Sequence, residues 1–180
     1  MIVDSLEGVD SAVAELTAAA LIGFDTETKP AFKKGQTHSV ALLQLSTPSR
    51  SFLFRLCRIG LPPQVKALLE NPAVTKVGLS IKDDFHSLNK IGPLAPAGFI
   101  DLQDYVRRFG IADSSLTKIH AIVFGKRISK SQQLTNWEAP SLNRRQQEYA
   151  SLDALACLRL YTTLSSGAFN PATSPYRETP

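Results

Sequence analysis

Residues Leu21–Thr28 read LIGFDTET, and this stretch decides both the fold class and the chemistry to look for. Two apolar residues, a glycine and a phenylalanine run into Asp25-Thr26-Glu27 with no turn signal between. The acids therefore end a strand that begins apolar. Residues two apart in a strand share a face, so Asp25 and Glu27 project together. Neighbouring carboxylates repel and resist burial. A cation belongs between them: an Arg or Lys, or a hard divalent metal that takes oxygen ligands. Alone, such a pair is more often a solvated strand end than a metal site, and partners must come from the rest of the chain.

Working outward, DSAVAELTAAA (10–20) has a capping residue and helical spacing and predicts a short helix leading into this strand. KPAFKKGQT (29–37) is a loop by its Pro, Gly and charges. HSVALLQLST (38–47) and RSFLFRL (50–56) read as a hairpin that continues the sheet. Pro62 and Pro63 open a helix at QVKALLE. AVTKVGLS (73–80) is the next strand, followed by a helix near 83–89, a short strand near Phe99 and a helix through Arg108. SLTKIHAIVFG (115–125) is amphipathic, and the longest helix covers about 143–164 with Asn143 as its cap. This order gives a mixed α/β sheet of five strands. The crossover at 64–70 places the fourth strand parallel to the first, beside it or nearly so. One domain is expected over 1–165, with a poorly ordered tail at 166–180, SGAFNPATSPYRETP.

Composition excludes several classes. With 180 residues, 43% hydrophobic and 20% charged, the chain can bury a core and has little room for disorder. No run approaches the roughly 20 apolar residues of a membrane span, and the acidic start lacks signal-peptide order, so a cytoplasmic location is expected. Cys57 and Cys157 lie far apart in apolar text and read as buried thiols. A net charge of +4 leans mildly toward anionic partners. If carboxylates gather in one site, the remaining surface is more basic than that total.

Two further segments carry candidate acids. VGLSIKDDFHSL (77–88) runs from a strand end into a helix, the place where ligands gather in open α/β sheets. Asp83 is well placed to cap that helix, which leaves Asp84 free. In EYASLDAL (148–155), Tyr149 and Asp153 are four apart on one helical face. Asp153 interrupts an apolar stripe, where an unpaired carboxylate is costly, so it is paired or binds metal. Trp137 is read as core rather than as a base-stacking residue. The histidines are scattered, and none is needed as a ligand.

FDTET, VGLSIKDDFHSL and QEYASLDAL, in this order and at these separations, resemble the three motifs of the DEDDy 3′–5′ exonucleases. The flanking text KKGQTHSVALLQLST and GKRISKSQQLTNWEAPSLNRRQQEYASLDA is similar to Werner-type and ribonuclease D exonuclease domains. The resemblance covers about 21–164 and implies a ribonuclease H-like fold. It implies metal ligation by Asp25, Glu27, Asp84 and Asp153, the family's spacing from Val77-Gly78 selecting Asp84 over Asp83. Tyr149 matches the family's tyrosine. Four converging carboxylates raise one another's pKa, and two divalent cations, Mg²⁺ or Mn²⁺, would neutralise them. The implied reaction is hydrolysis of phosphodiester bonds from a DNA or RNA 3′ end by two metal ions, with DNA modestly favoured and weak processivity expected. Lys33, Lys34, Lys126, Arg127, Lys130, Arg144 and Arg145 are candidate phosphate contacts. A non-catalytic nucleic-acid-binding module and a ribonuclease H-type endonuclease are the rival readings. No protein partner can be inferred.

Overall fold

The computed structural model describes residues 1–33 and 35–174. Lys34 and residues 175–180 lie outside the described residues. The strands are β1 (Ile2–Val3), β2 (Leu21–Thr28), β3 (Val40–Ser46), β4 (Ser51–Phe54), β5 (Thr75–Gly78) and β6 (Phe99–Asp101). They form one sheet in the order β1-β4-β3-β2-β5-β6. The hairpin β3–β4 and the β2–β3 pair are antiparallel, whereas β5 runs parallel to β2 and β6 parallel to β5. The sheet is thus the mixed one expected, with one strand more. Ile2 and Val3 pair in parallel with Leu53 and Phe54. Two residues are too few to show a period of two, so the sequence pattern could not reveal that edge strand.

Seven α-helices are described: α1 (Val9–Ala18), α2 (Leu56–Ile59), α3 (Pro63–Leu69), α4 (Ile81–Leu88), α5 (Leu102–Tyr105), α6 (Leu116–Phe124) and α7 (Arg144–Ser165). α7 starts as its sequence dictates. The Asn143 side chain accepts the Gln146 N–H while the Gln146 side chain accepts the Asn143 N–H, a reciprocal box that satisfies two otherwise orphaned donors.

Alternation along β2 splits the interior in two. Ile22 and Phe24 point into a dry core with Leu43, Leu45, Phe52 and Phe54, covered by α1, α3 and α4. There Phe24 and Phe85 both meet Phe99 edge-on, at centroid distances of 5.1 and 4.7 Å. The opposite face carries Leu42 and Leu53 under Trp137, Tyr149 and Ala150. α7 lies directly on it because Gly23 has no side chain: a Cβ there would sit 1.9 Å from the Ala154 carbonyl oxygen. A third cluster, with Val77, Leu102, Ile119, Cys157 and Leu160, joins β5 to α5, α6 and α7.

Two local expectations change. Asp83 does not cap α4. The cap is Ser80, in the left-handed region at φ 60°; its hydroxyl donates to the Asp83 carboxylate at 3.4 Å but caps no backbone N–H, and the Asp101 carboxylate accepts the Ser80 and Ile81 N–H groups at 3.1 and 3.2 Å. An acid from the next strand takes the role that local sequence gave to Asp83. Cys157 is buried as expected, but Cys57 is exposed, because the single turn of α2 directs Leu56 inward and its neighbour outward. In the tail, residues 166–174 include a 3₁₀ turn at Pro171–Thr173, Phe169 packs against the third cluster, and the Ser174 hydroxyl donates to the Ile122 carbonyl. No helix among the described residues is long and apolar enough to cross a membrane.

Candidate active site

The last half of β2, the first turn of α4 and the middle of α7 meet at the end of the sheet. Carboxylate oxygens of Asp25, Glu27 and Asp153 lie within 4.8 Å of one another. Asp84 stands one step back, its Oδ1 accepting the hydroxyl of Thr26. Thr26 is therefore more than a spacer: it ties α4 to the strand that carries the other acids. The cluster opens into a cavity of about 440 Å³ whose walls include Leu79, Ser80, Gln103, Ser115, Thr117, Ile128, Lys130, Gln133 and Tyr149.

The electrostatics are those of crowded, desolvated anions. Burial and then the charges of Asp153, Asp84 and Glu27 hold Asp25 well above the usual carboxylate range. Glu27 is pushed up to about 8 by burial and by Asp153 and Asp84. Asp84 rises to about 7 through burial, against the opposing pull of the Thr26 hydroxyl. Asp153 rises less, to about 6, because the Tyr149 hydroxyl and the charge of Lys130 oppose its burial. The donor set is all oxygen, comes from three separate segments, and is hard to keep ionised without added positive charge. That fits a hard divalent cation and does not fit a soft one.

Tyr149 hydrogen-bonds Asp153, one helical turn away, and burial with the nearby acids drives its pKa up rather than down. Its ring stacks on Trp137 at 6.0 Å with planes 30° apart. Trp137 is fully buried, as its core reading expects, and its neighbours are held by Arg55, whose guanidinium donates to the Trp137 and Ala139 carbonyls at 3.5 and 2.5 Å. Nothing in the local sequence marks Arg55 for this task.

Of the basic candidates, Lys130 lines the acidic cavity. Lys33, Lys126 and Arg127 are exposed on the loops that flank β2 and α6. Arg144 is not brought to the cavity. It pairs with Glu148 at 2.7 Å and faces a separate hollow with Met1 and Leu53, and Arg145 is exposed beside it. Among the histidines, His38 pairs with Glu138, and His120 bonds the Lys126 carbonyl through Nδ1 at 2.6 Å.

Residues 1–167 match the model of a 3′-5′ exonuclease domain family. The chain belongs to that family. This exonuclease domain is 31% identical over 157 residues to the mouse bifunctional 3′-5′ exonuclease/ATP-dependent helicase WRN, a match spanning 84% of this chain and 11% of that protein. It is 32% identical over 148 residues to exonuclease 3′-5′ domain-containing protein 2 of Drosophila melanogaster, spanning 80% of this chain and 25% of the relative. The exonuclease chain thus covers a quarter or less of either relative. Among solved structures, the EXO domain of Aedes aegypti Nibbler superposes with a TM-score of 0.79 at 24% identity, covering 95% of this chain and 91% of that one. Escherichia coli RNase D gives 0.78 at 22% identity, covering 96% and 47%. These neighbours share the ribonuclease H-like α/β fold.

Proposed function

We propose that this domain is a metal-dependent 3′–5′ exonuclease that hydrolyses the terminal phosphodiester bond of a nucleic acid and releases 5′-nucleotides. The observation that carries the reading is the convergence of Asp25, Glu27 and Asp153 within 4.8 Å, with Tyr149 bonded to Asp153 at the cavity wall. Asp25, Glu27 and Asp153, with Asp84 behind them, would hold two divalent cations, Mg²⁺ or Mn²⁺. Bound there, such cations polarise the scissile phosphate and acidify the attacking water.

The chain's own groups do the rest. Tyr149 is a poor base, since its surroundings raise its pKa above an ordinary value near 10. Its hydroxyl donates to Asp153, leaving the oxygen's lone pairs free to accept from the attacking water. It therefore orients that water rather than taking its proton. Lys130 stands where a phosphate would enter, and Lys33, Lys126 and Arg127 supply sequence-independent contacts around the mouth. Lys34 is assigned the same role from its sequence position. Arg144 is left out, being committed to Glu148 away from the cavity, and Arg145 with it.

The substrate is a DNA or RNA 3′ end. Likeness to WRN leans toward DNA, while a Trypanosoma brucei RNase D neighbour was solved in complex with RNA U12. The deciding experiment incubates matched 5′-labelled DNA and RNA oligonucleotides with the protein in Mg²⁺, Mn²⁺ or EDTA. A ladder shortening from the 3′ end only when metal is present is expected. Internal cuts would make the protein a ribonuclease H-type endonuclease. Binding without cleavage in either metal would make it a non-catalytic module.

A further inference from the structure

Gln44 is a polar side chain sealed in the interior with nothing to bond. It belongs to β3, VALLQLS, every residue of which is buried. Its side chain has no exposure, and among the described residues neither Oε1 nor Nε2 has a hydrogen-bond partner. Buried amides are nearly always paired, because an unpaired one has given up its bonds to water without replacing them. Packing alone would favour an apolar side chain here, so packing does not account for the amide.

The sheet register gives its surroundings. Gln44 stands directly opposite Asp25 in the antiparallel β2–β3 pair and opposite Leu53 on its other side. Opposed residues share a face of the sheet, with Cβ atoms about 4.5–5.5 Å apart. Gln44 is therefore on the face that carries Gly23, Asp25 and Glu27, beneath α7. Two residues away along β3 on that face are Leu42 and Ser46. Leu42 and Leu53 are apolar, and the Ser46 hydroxyl gives its proton to Ser51 at 2.8 Å. The acid next to the amide is Asp25.

We infer that Gln44 is a positioning residue for Asp25: turning about its own side-chain torsions, its amide N–H donates to the Asp25 carboxylate when that carboxylate holds a divalent cation. A ligating carboxylate is ionised and keeps lone pairs for a second donor. Such outer donors fix the orientation of a ligand and strengthen the site. The inference rests on the metal-dependent reading and deepens it, carrying the cation site one strand further into the sheet, to an uncharged residue.

The test replaces Gln44 by a side chain of similar length without a donor, Gln44→Met, in the full chain. Mn²⁺ binding is measured by calorimetry without nucleic acid, and melting is followed in EDTA. Affinity for Mn²⁺ is expected to fall about tenfold, while the metal-free melting temperature holds or rises. This split is one that a residue needed only for packing would not give. Equal Mn²⁺ affinity in the variant and the parent would overturn the role while leaving the metal site standing. Should Gln44→Met fail to fold, the parent decides by itself: the Gln44 side-chain amide protons, followed by NMR, are expected to move downfield as Mg²⁺ is added. Amide protons that stay in place at saturating Mg²⁺ would overturn the role as well. A parent protein that binds neither cation would overturn the metal-dependent reading itself, a result distinct from equal and measurable affinities.

Discussion

The two faces of β2 solve opposite problems with alternate residues of one strand. Ile22 and Phe24 enter a dry, aromatic-rich core, where fold stability resides. Gly23, Asp25 and Glu27 face α7, where space is left for a helix backbone and for acids that repel one another. One face is satisfied by burial; the other crowds carboxylates that the proposed cations would neutralise. The comparison teaches that the candidate site lies where the strand is least stable by itself.

The sharpest way to break this division is Asp25→Ala or Asp153→Ala. Turnover should fall on the order of a thousandfold or more, since coordination of the cations supplies several kcal/mol to the transition state. The circular dichroism spectrum should be unchanged. Phe24→Ala, on the other face, should instead cost about 3–5 kcal/mol of stability in a denaturant melt. A second break is Gly23→Ala. Its Cβ must displace the helix that bears Tyr149 and Asp153. A misplacement near 1 Å costs about a hundredfold in rate, and Mn²⁺ binding by calorimetry should weaken in parallel. Tyr149→Phe is milder. It keeps the Trp137 stack but loses the water-orienting oxygen, and kcat should drop about tenfold to a hundredfold. Activity equal to the parent would remove Tyr149 from the mechanism.

The smallest expected effect sharpens the contrast through pH. Glu27, Asp84 and Asp153 have folded-state pKa values raised to about 8, 7 and 6. In metal-free protein the folded state therefore binds more protons than the unfolded chain above the ordinary carboxylate range near pH 4. Stability should decline as pH rises from about 4 to about 8. Mg²⁺ or Mn²⁺ should raise the melting temperature more at pH 8 than at pH 5, a few degrees in a thermal scan. A metal-induced shift independent of pH would argue that these carboxylates are not the ligands.

The strand order around β2 and the helical pairing of Tyr149 with Asp153 were legible because period-two and period-3.6 patterns are local. The metal-site acids were legible only as candidates, since burial is set by tertiary packing. What escaped the sequence was mostly non-local. Asp101 caps a helix from a neighbouring strand, so Asp83 looked like the better cap. Glu138 fastens Lys29 and His38 from roughly a hundred residues away. Arg144 carried the right charge, but the first turn of α7 turns it toward Glu148. The bond from Thr26 to Asp84 escaped because its partner lies on another element.

Arg55 has a consequence beyond its own neighbourhood. A sequestered guanidinium holds the Trp137 and Ala139 carbonyls, and the Trp137 indole stacks on the phenol that the proposed mechanism uses to orient the attacking water. On the proposed mechanism, rate would thus be tunable through a relay that begins at Arg55, just after β4, by substitutions that alter no acid and contact no nucleotide.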